Sequence, residues 1–170
     1  MSKNKPVAMM VWLTLSCVVH IFLFKSKVNT DYQVWQRILL MMIALALVFP
    51  IHELLHFCFA KVFCKGKVKI AIVKSPIGLP TVGVIAQGSF QKWQLLIFRL
   101  APFVMLTVVL DVIFVFCAKV ELIFFIISVT NCVGSFYDVY ETLSIKKKPD
   151  GSSFHCQTTA ALFYQLLAGQ

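Results

Sequence analysis

His52-Glu53-Leu54-Leu55-His56 is an HExxH pattern, and it is where this sequence could do chemistry. On a helix, residues four apart share a face, so the two imidazoles can reach a single metal ion. Glu53 lies about 100° further round, where its carboxylate can take a proton from a water at that ion. Zinc suits two imidazoles at this spacing, and a catalytic zinc normally takes three protein ligands with a fourth place open to water. The motif therefore asks for one more ligand from elsewhere in the chain.

Membrane spans are the elements that must position it. Of the 170 residues, 59% are hydrophobic and only 14% charged, against about 25% charged in an ordinary soluble domain. Four apolar runs, 7–24, 38–60, 95–117 and 120–140, are long enough to cross a hydrocarbon core about 30 Å thick. In lipid each must be a helix, because an isolated strand leaves its backbone groups unpaired. HExxH falls inside the second run, where a carboxylate costs roughly 2.5 kcal/mol or more. A polar cluster that only tied helices together would be served by Ser, Thr or Asn. Pro50, two residues before His52, withdraws a hydrogen bond from the carbonyl of Ala46 and predicts a kink beside the motif.

The fourth run offers Asp138 as the third ligand. The second and fourth runs cross in the same direction. Counted from their starts, His52, His56 and Asp138 sit roughly 21 to 27 Å from the same end at 1.5 Å per residue. Asn131, Gly134, Ser135 and Asp138 have i, i+3, i+4, i+7 spacing, which lines them on one stripe of a continuous helix. Asn131 can hold a ligand or a substrate backbone, Gly134 can permit close backbone approach, and Ser135 can hydrogen-bond nearby; packing between helices is the competing use. His20 reads as a packing or interfacial histidine. Asp111 is expected to reach the interface or pair with Lys119, and His155 to be solvated.

Between the second and third runs, KVKIAIV (67–73) and TVGVIAQ (81–87) flank Ser75, Pro76, Gly78 and Pro80, the pattern of a β-hairpin over about 67–87. The tail 144–170 carries Lys146, Lys147 and Lys148, then TTAALFYQLL, an apolar stretch too short to span. The net charge of +9 comes from Lys and Arg in the segments between apolar runs, so it argues for lipid anchoring and not for nucleic acid. With the N terminus cytosolic, twelve of the sixteen Lys and Arg fall inside, Arg99 among them. Hairpin and tail then face the cytosol, as do both termini, and the plasma membrane is the expected location. The six Cys form no CxxC pair and read as buried small hydrophobes.

HELLH in the second run, the hairpin, RLAPF (Arg99–Phe103) and NCVGSFYD (Asn131–Asp138) together resemble the "putative zincin peptidase" family of membrane proteins, related to site-2 proteases. The resemblance covers roughly 38–145. It implies a membrane-embedded metalloprotease core in which His52, His56 and Asp138 hold zinc and Glu53 activates water. Site-2 proteases carry their Asp before Gly, whereas Val139 follows Asp138 here. The expectation is a single all-α integral membrane domain (1–170) with four spans and a small cytosolic hairpin. Its partners are the bilayer and a membrane-protein or peptide substrate, with oligomeric state left open. A metal transporter or sensor, or an inactive protease-like scaffold, stands as the alternative.

Overall fold

Long apolar runs become helices because only a helix pairs every backbone group within one segment. The computed structural model describes residues 5–28, 31–74, 80–147 and 153–156. In chain order it has α1 (Lys5–Phe24), α2 (Val34–Phe63), β1 (Lys67–Lys74), β2 (Pro80–Gln91), α3 (Lys92–Phe103), a π-helical turn (Val104–Val108), α4 (Val109–Phe116), α5 (Leu122–Gly134), α6 (Phe136–Lys146) and β3 (Ser153–Cys156). α1, α2 and the stretch Lys92–Phe116 are each long and apolar enough to cross a membrane, and α5 with α6 makes a fourth crossing when that bent pair counts as one. α2 runs through Pro50 as one helix of 30 residues, about 45 Å long. Leu39, Phe49, Leu54 and Val62 on it are exposed, an apolar surface that lipid solvates and water does not.

The fourth run departs from the single helix expected over 120–140. It breaks at Ser135, which has φ −75° and ψ 1° and closes α5 by donating its N–H to the carbonyl of Asn131. The stripe 131–134–135–138 is therefore split between two helices. Gly134 is exposed, and a Cβ added there would meet nothing within 4 Å, so it serves no close approach among the described residues.

The described chain forms two compact units, 53–101 with 138 onward, and 3–52 with 102–137. In the first, β1 pairs antiparallel with β2 from Lys67↔Gln87 to Lys74↔Pro80, and β2 continues beyond Gln87 to pair with β3 from Gly88↔Cys156 to Gln91↔Ser153. The strand order is β1-β2-β3. The hairpin thus extends past the residue 87 read from sequence, because part of the tail supplies a third strand. Alternate residues Val84, Ala86 and Phe90 face a core with Ala60, Cys64, Leu95, Phe98 and Ile145, while Gln87, Ser89 and Gln91 face outward. At the start of the hairpin a Cβ on Gly66 would lie 1.6 Å from the carbonyl oxygen of Gln87, so only glycine fits. TTAALFYQLL and the side chain of His155 lie outside the described residues.

In the second unit, Phe24, Phe114 and Val120 form one apolar cluster, and Ala44, Val48 and Ile127 another. Lys27 donates to the carbonyls of Phe114 and Val115 at 3.2 and 2.8 Å, placing a cation at the negative end of α4. Tyr32, in the loop before α2, donates to Glu121, and that bond holds its phenol above the ordinary tyrosine range.

Candidate metal centre

His56 is 1% exposed and sits one turn after His52 on α2. Its Nδ1 lies 2.9 Å from the carbonyl oxygen of Phe98. A carbonyl only accepts, so Nδ1 carries the hydrogen and Nε2 is left as a ligand atom. That carbonyl is available for a local reason. In an α-helix it would accept from the N–H of residue 102, and Pro102 has none.

Nε2 of His56 faces Oδ2 of Asp138 at 3.4 Å. This is longer than the about 2.7–3.2 Å of a good N–H···O bond. Two ligands on a tetrahedral zinc at about 2.0–2.1 Å stand about 3.3 Å apart, so the separation is the one the metal needs. Asp138 falls in the first turn of α6, where the positive end of the helix favours a carboxylate.

His52 is fixed in the same way from its own unit. Its Nδ1 lies 2.9 Å from Oδ1 of Asn131. The Asn131 amide nitrogen donates to the carbonyl of Pro102 at 2.9 Å and to the Thr107 hydroxyl at 3.0 Å, which leaves the amide oxygen to accept from His52. With Nδ1 so engaged, Nε2 of His52 is the ring nitrogen that can meet a metal, as in His56. Thr107 belongs to the π-helical turn, an irregularity that recurs at functional sites. Because α2 is one unbroken helix through both histidines, their spacing is fixed by helix geometry. His52, His56 and Asp138 each offer a ligand atom within 4.8 Å of the others. Two imidazoles with hydrogen-bonded Nδ1 atoms and one carboxylate are a donor set that fits zinc.

Glu53 follows His52 on the same helix and is half-buried. Ser135, expected to hydrogen-bond, has a buried Oγ with no partner among the described residues; its backbone carries its contribution, as the end of α5.

Arg99, counted from sequence among the charges that set orientation, is a buried partner of two carboxylates. It is 2% exposed, with its guanidinium 3.3 Å from Oδ1 of Asp138 and 2.8 Å from Oε2 of Glu141. The oxygen of Asp138 that Arg99 binds is not the one facing His56, so the guanidinium fixes the carboxylate and leaves Oδ2 to the metal position. Glu141, three residues after Asp138 on one helix face, also escaped sequence reasoning. The available signal was Arg99 itself, a charge within the apolar stretch LLIFRLAPF, where ionisable residues need partners.

Comparison with curated proteins and with solved structures gives no match. The family described as "putative zincin peptidase" matches residues 45–153, which take in both histidines, Glu53, the hairpin, Arg99, Asn131 and Asp138. With that match covering more than half of the chain, the protein belongs to the putative zincin peptidase family.

Proposed function

We propose that this protein is an intramembrane zinc metallopeptidase that hydrolyses peptide bonds within or beside membrane-spanning segments. Family membership supports a metallopeptidase at the coarse level. The observation that carries the finer reading is the His52, His56 and Asp138 cluster on and around a helix that is apolar enough to cross a membrane.

Zinc, when bound, supplies Lewis-acid polarisation of the scissile carbonyl and makes water acidic enough to attack near neutral pH. Glu53 is the general base. It takes a proton from the attacking water as the new C–O bond forms, and gives that proton to the leaving amine as the C–N bond breaks. Asn131 and the Phe98 carbonyl hold the two imidazoles in the tautomer that presents Nε2. Arg99 orients the Asp138 carboxylate.

A helical substrate must be unwound before its peptide bonds are accessible. Support for a capture surface comes from the sheet: among the described residues β1 is an edge strand, and KVKIAIV can pair an extended substrate segment along its outer side. The orientation with hairpin and both termini cytosolic rests on the Lys and Arg bias, twelve of the sixteen falling on that side. The protein would then lie in the plasma membrane, contacting the bilayer and a membrane-protein or peptide substrate.

The test is zinc content of the detergent-purified full chain, paired with hydrolysis of membrane-spanning peptides, for wild type, His56→Ala, Asp138→Ala and Glu53→Gln. A single zinc per chain, weakened by both ligand changes and kept by an inactive Glu53→Gln, is the expected outcome. No zinc in the reconstituted wild type refutes the reading. Zinc flux into liposomes that survives Glu53→Gln would replace it with a transporter.

A further inference from the structure

A second set of ionisable groups lies in the second unit, and the proposed hydrolysis does not use it. His20 on α1 is 3% exposed, Ser128 on α5 is fully buried, and Asp111 on α4 is half-buried between them. Ionisable side chains inside apolar spans are expensive to maintain and mark function unless they are paired.

Donor and acceptor bookkeeping defines what this set binds. Nδ1 of His20 is 2.7 Å from the carbonyl oxygen of Ser16, so that nitrogen carries a hydrogen. Nε2 faces Oδ2 of Asp111 at 3.2 Å and the Ser128 hydroxyl at 3.2 Å. Ser128 has a single hydrogen, and it is donated to Oδ1 of Asp111 at the shorter distance of 2.6 Å. With that hydrogen committed, a neutral His20 would turn a bare lone pair toward a carboxylate oxygen. One further hydrogen between Nε2 and Oδ2 satisfies all three groups at once.

We propose that His20 and Asp111 form a buried proton-binding site, with one proton held between Nε2 and Oδ2 and with Ser128 ordering the carboxylate. The titratable groups on the elements packed around it are Asp111 from α4 and Cys132 from α5, with Cys17 beside it on α1. Cys132 is engaged with the Ser16 hydroxyl at 3.2 Å, and the Phe24 and Phe125 rings close the site at 6.2 and 6.4 Å. The proton therefore joins α1, α4 and α5 inside apolar surroundings.

The site also shares a scaffold with the metal centre. The Ser128 carbonyl accepts from the Thr107 hydroxyl at 3.3 Å, and Thr107 accepts from Asn131, which orients His52. Loss of the proton loosens the seat of Asn131, so acidity on the His20 side of the bundle is felt at a metal ligand. This coupling rests on the metallopeptidase reading. The proton site does not.

The experiment is ring-nitrogen NMR of the full chain, labelled with nitrogen-15 histidine and reconstituted in bilayers at neutral pH. In wild type, both ring nitrogens of His20 carry hydrogen; in Asp111→Asn one becomes bare; in Ser128→Ala the imidazolium persists. A neutral His20 in wild type overturns the proposal, as does an imidazolium unchanged by Asp111→Asn or lost in Ser128→Ala. The signal is assigned by its loss in His20→Gln or, where that variant fails to fold, by its persistence in His52→Gln, His56→Gln and His155→Gln. No zinc and no hydrolysis enter these readouts, so failure here leaves the metal reading standing, and failure of the metal reading leaves this one.

Discussion

Replacing Arg99 by Met removes the cation shared by two buried carboxylates. Its contacts with Asp138 and Glu141 measure 3.3 and 2.8 Å, about 5 to 6 kcal/mol of Coulomb attraction each at an effective dielectric constant of about 20. Desolvation of the three charges cancels much of that, and removing one partner of a buried pair costs about 3–5 kcal/mol. In a chain of 170 residues each kcal/mol lowers Tm by about 2–4 °C, so the metal-free variant should melt about 6 to 20 °C below wild type. Arg99→Lys keeps the charge but not the fork that reaches both carboxylates, and should fall between. Zinc returns positive charge beside Asp138, so the gap between variant and wild type should narrow on metal loading. Thermal melting by circular dichroism, with and without chelator, reads all of this. A metal-free Arg99→Met within about 2 °C of wild type would refute the electrostatic argument, as would a gap that zinc widens.

Asn131→Leu removes the acceptor of the His52 Nδ1 hydrogen and should weaken zinc binding about 10- to 100-fold in competition with a chelator, while Glu53→Gln should bind as wild type. Gly66→Ala drives a Cβ against the backbone of Gln87 and should destabilise the sheet by about 1–3 kcal/mol, seen as faster amide exchange in β2. Gly134→Ala meets nothing within 4 Å and should leave Tm the same or slightly higher. Because the folded state raises the Tyr32 phenol, its bond to Glu121 is fully present below pH about 10 and is lost as pH rises further. Tyrosinate absorbance should show a late-ionising component that is lost in Tyr32→Phe.

The parts legible in the sequence were those governed by length, period and short range. Apolar runs of span length became helices, alternating KVKIAIV and TVGVIAQ became paired strands, and two histidines four apart came out on one face of α2. Depth counting also placed Asp138 near the histidines, although the fourth run is not the straight helix that the counting assumed. The break at Ser135 had a local signal, Gly134 followed by Ser135-x-x-Asp138, which is a helix-end and N-cap pattern, but reading 120–140 as one span passed over it. β3 escaped because a strand of four residues gains its identity only from pairing with the end of β2. Asp111 was expected from its depth to reach the interface or pair with Lys119; it lies against His20, more than ninety positions away, because α1 and α4 share a unit.

The same limit explains RLAPF. Read as sequence it is a charge, apolar residues and a helix-disrupting proline within the third run, and counting charges for topology gave Arg99 a side of the membrane but no partner. In the fold, Pro102 has no N–H to give to Phe98, and the carbonyl thereby released orients His56. The Pro102 carbonyl holds Asn131, and Arg99 holds Asp138. Each metal-site side chain is thus supported by α3 or by a residue that α3 fixes, although α3 supplies no ligand itself. A helix defect inside a span exposes backbone acceptors where water is absent, and those acceptors must be used. If that is why Pro102 is present, Pro102→Ala should restore a competing N–H for the Phe98 carbonyl and weaken the orientation of His56. Zinc affinity should then fall with helix content unchanged, and an affinity equal to wild type would show that the proline serves the helix alone.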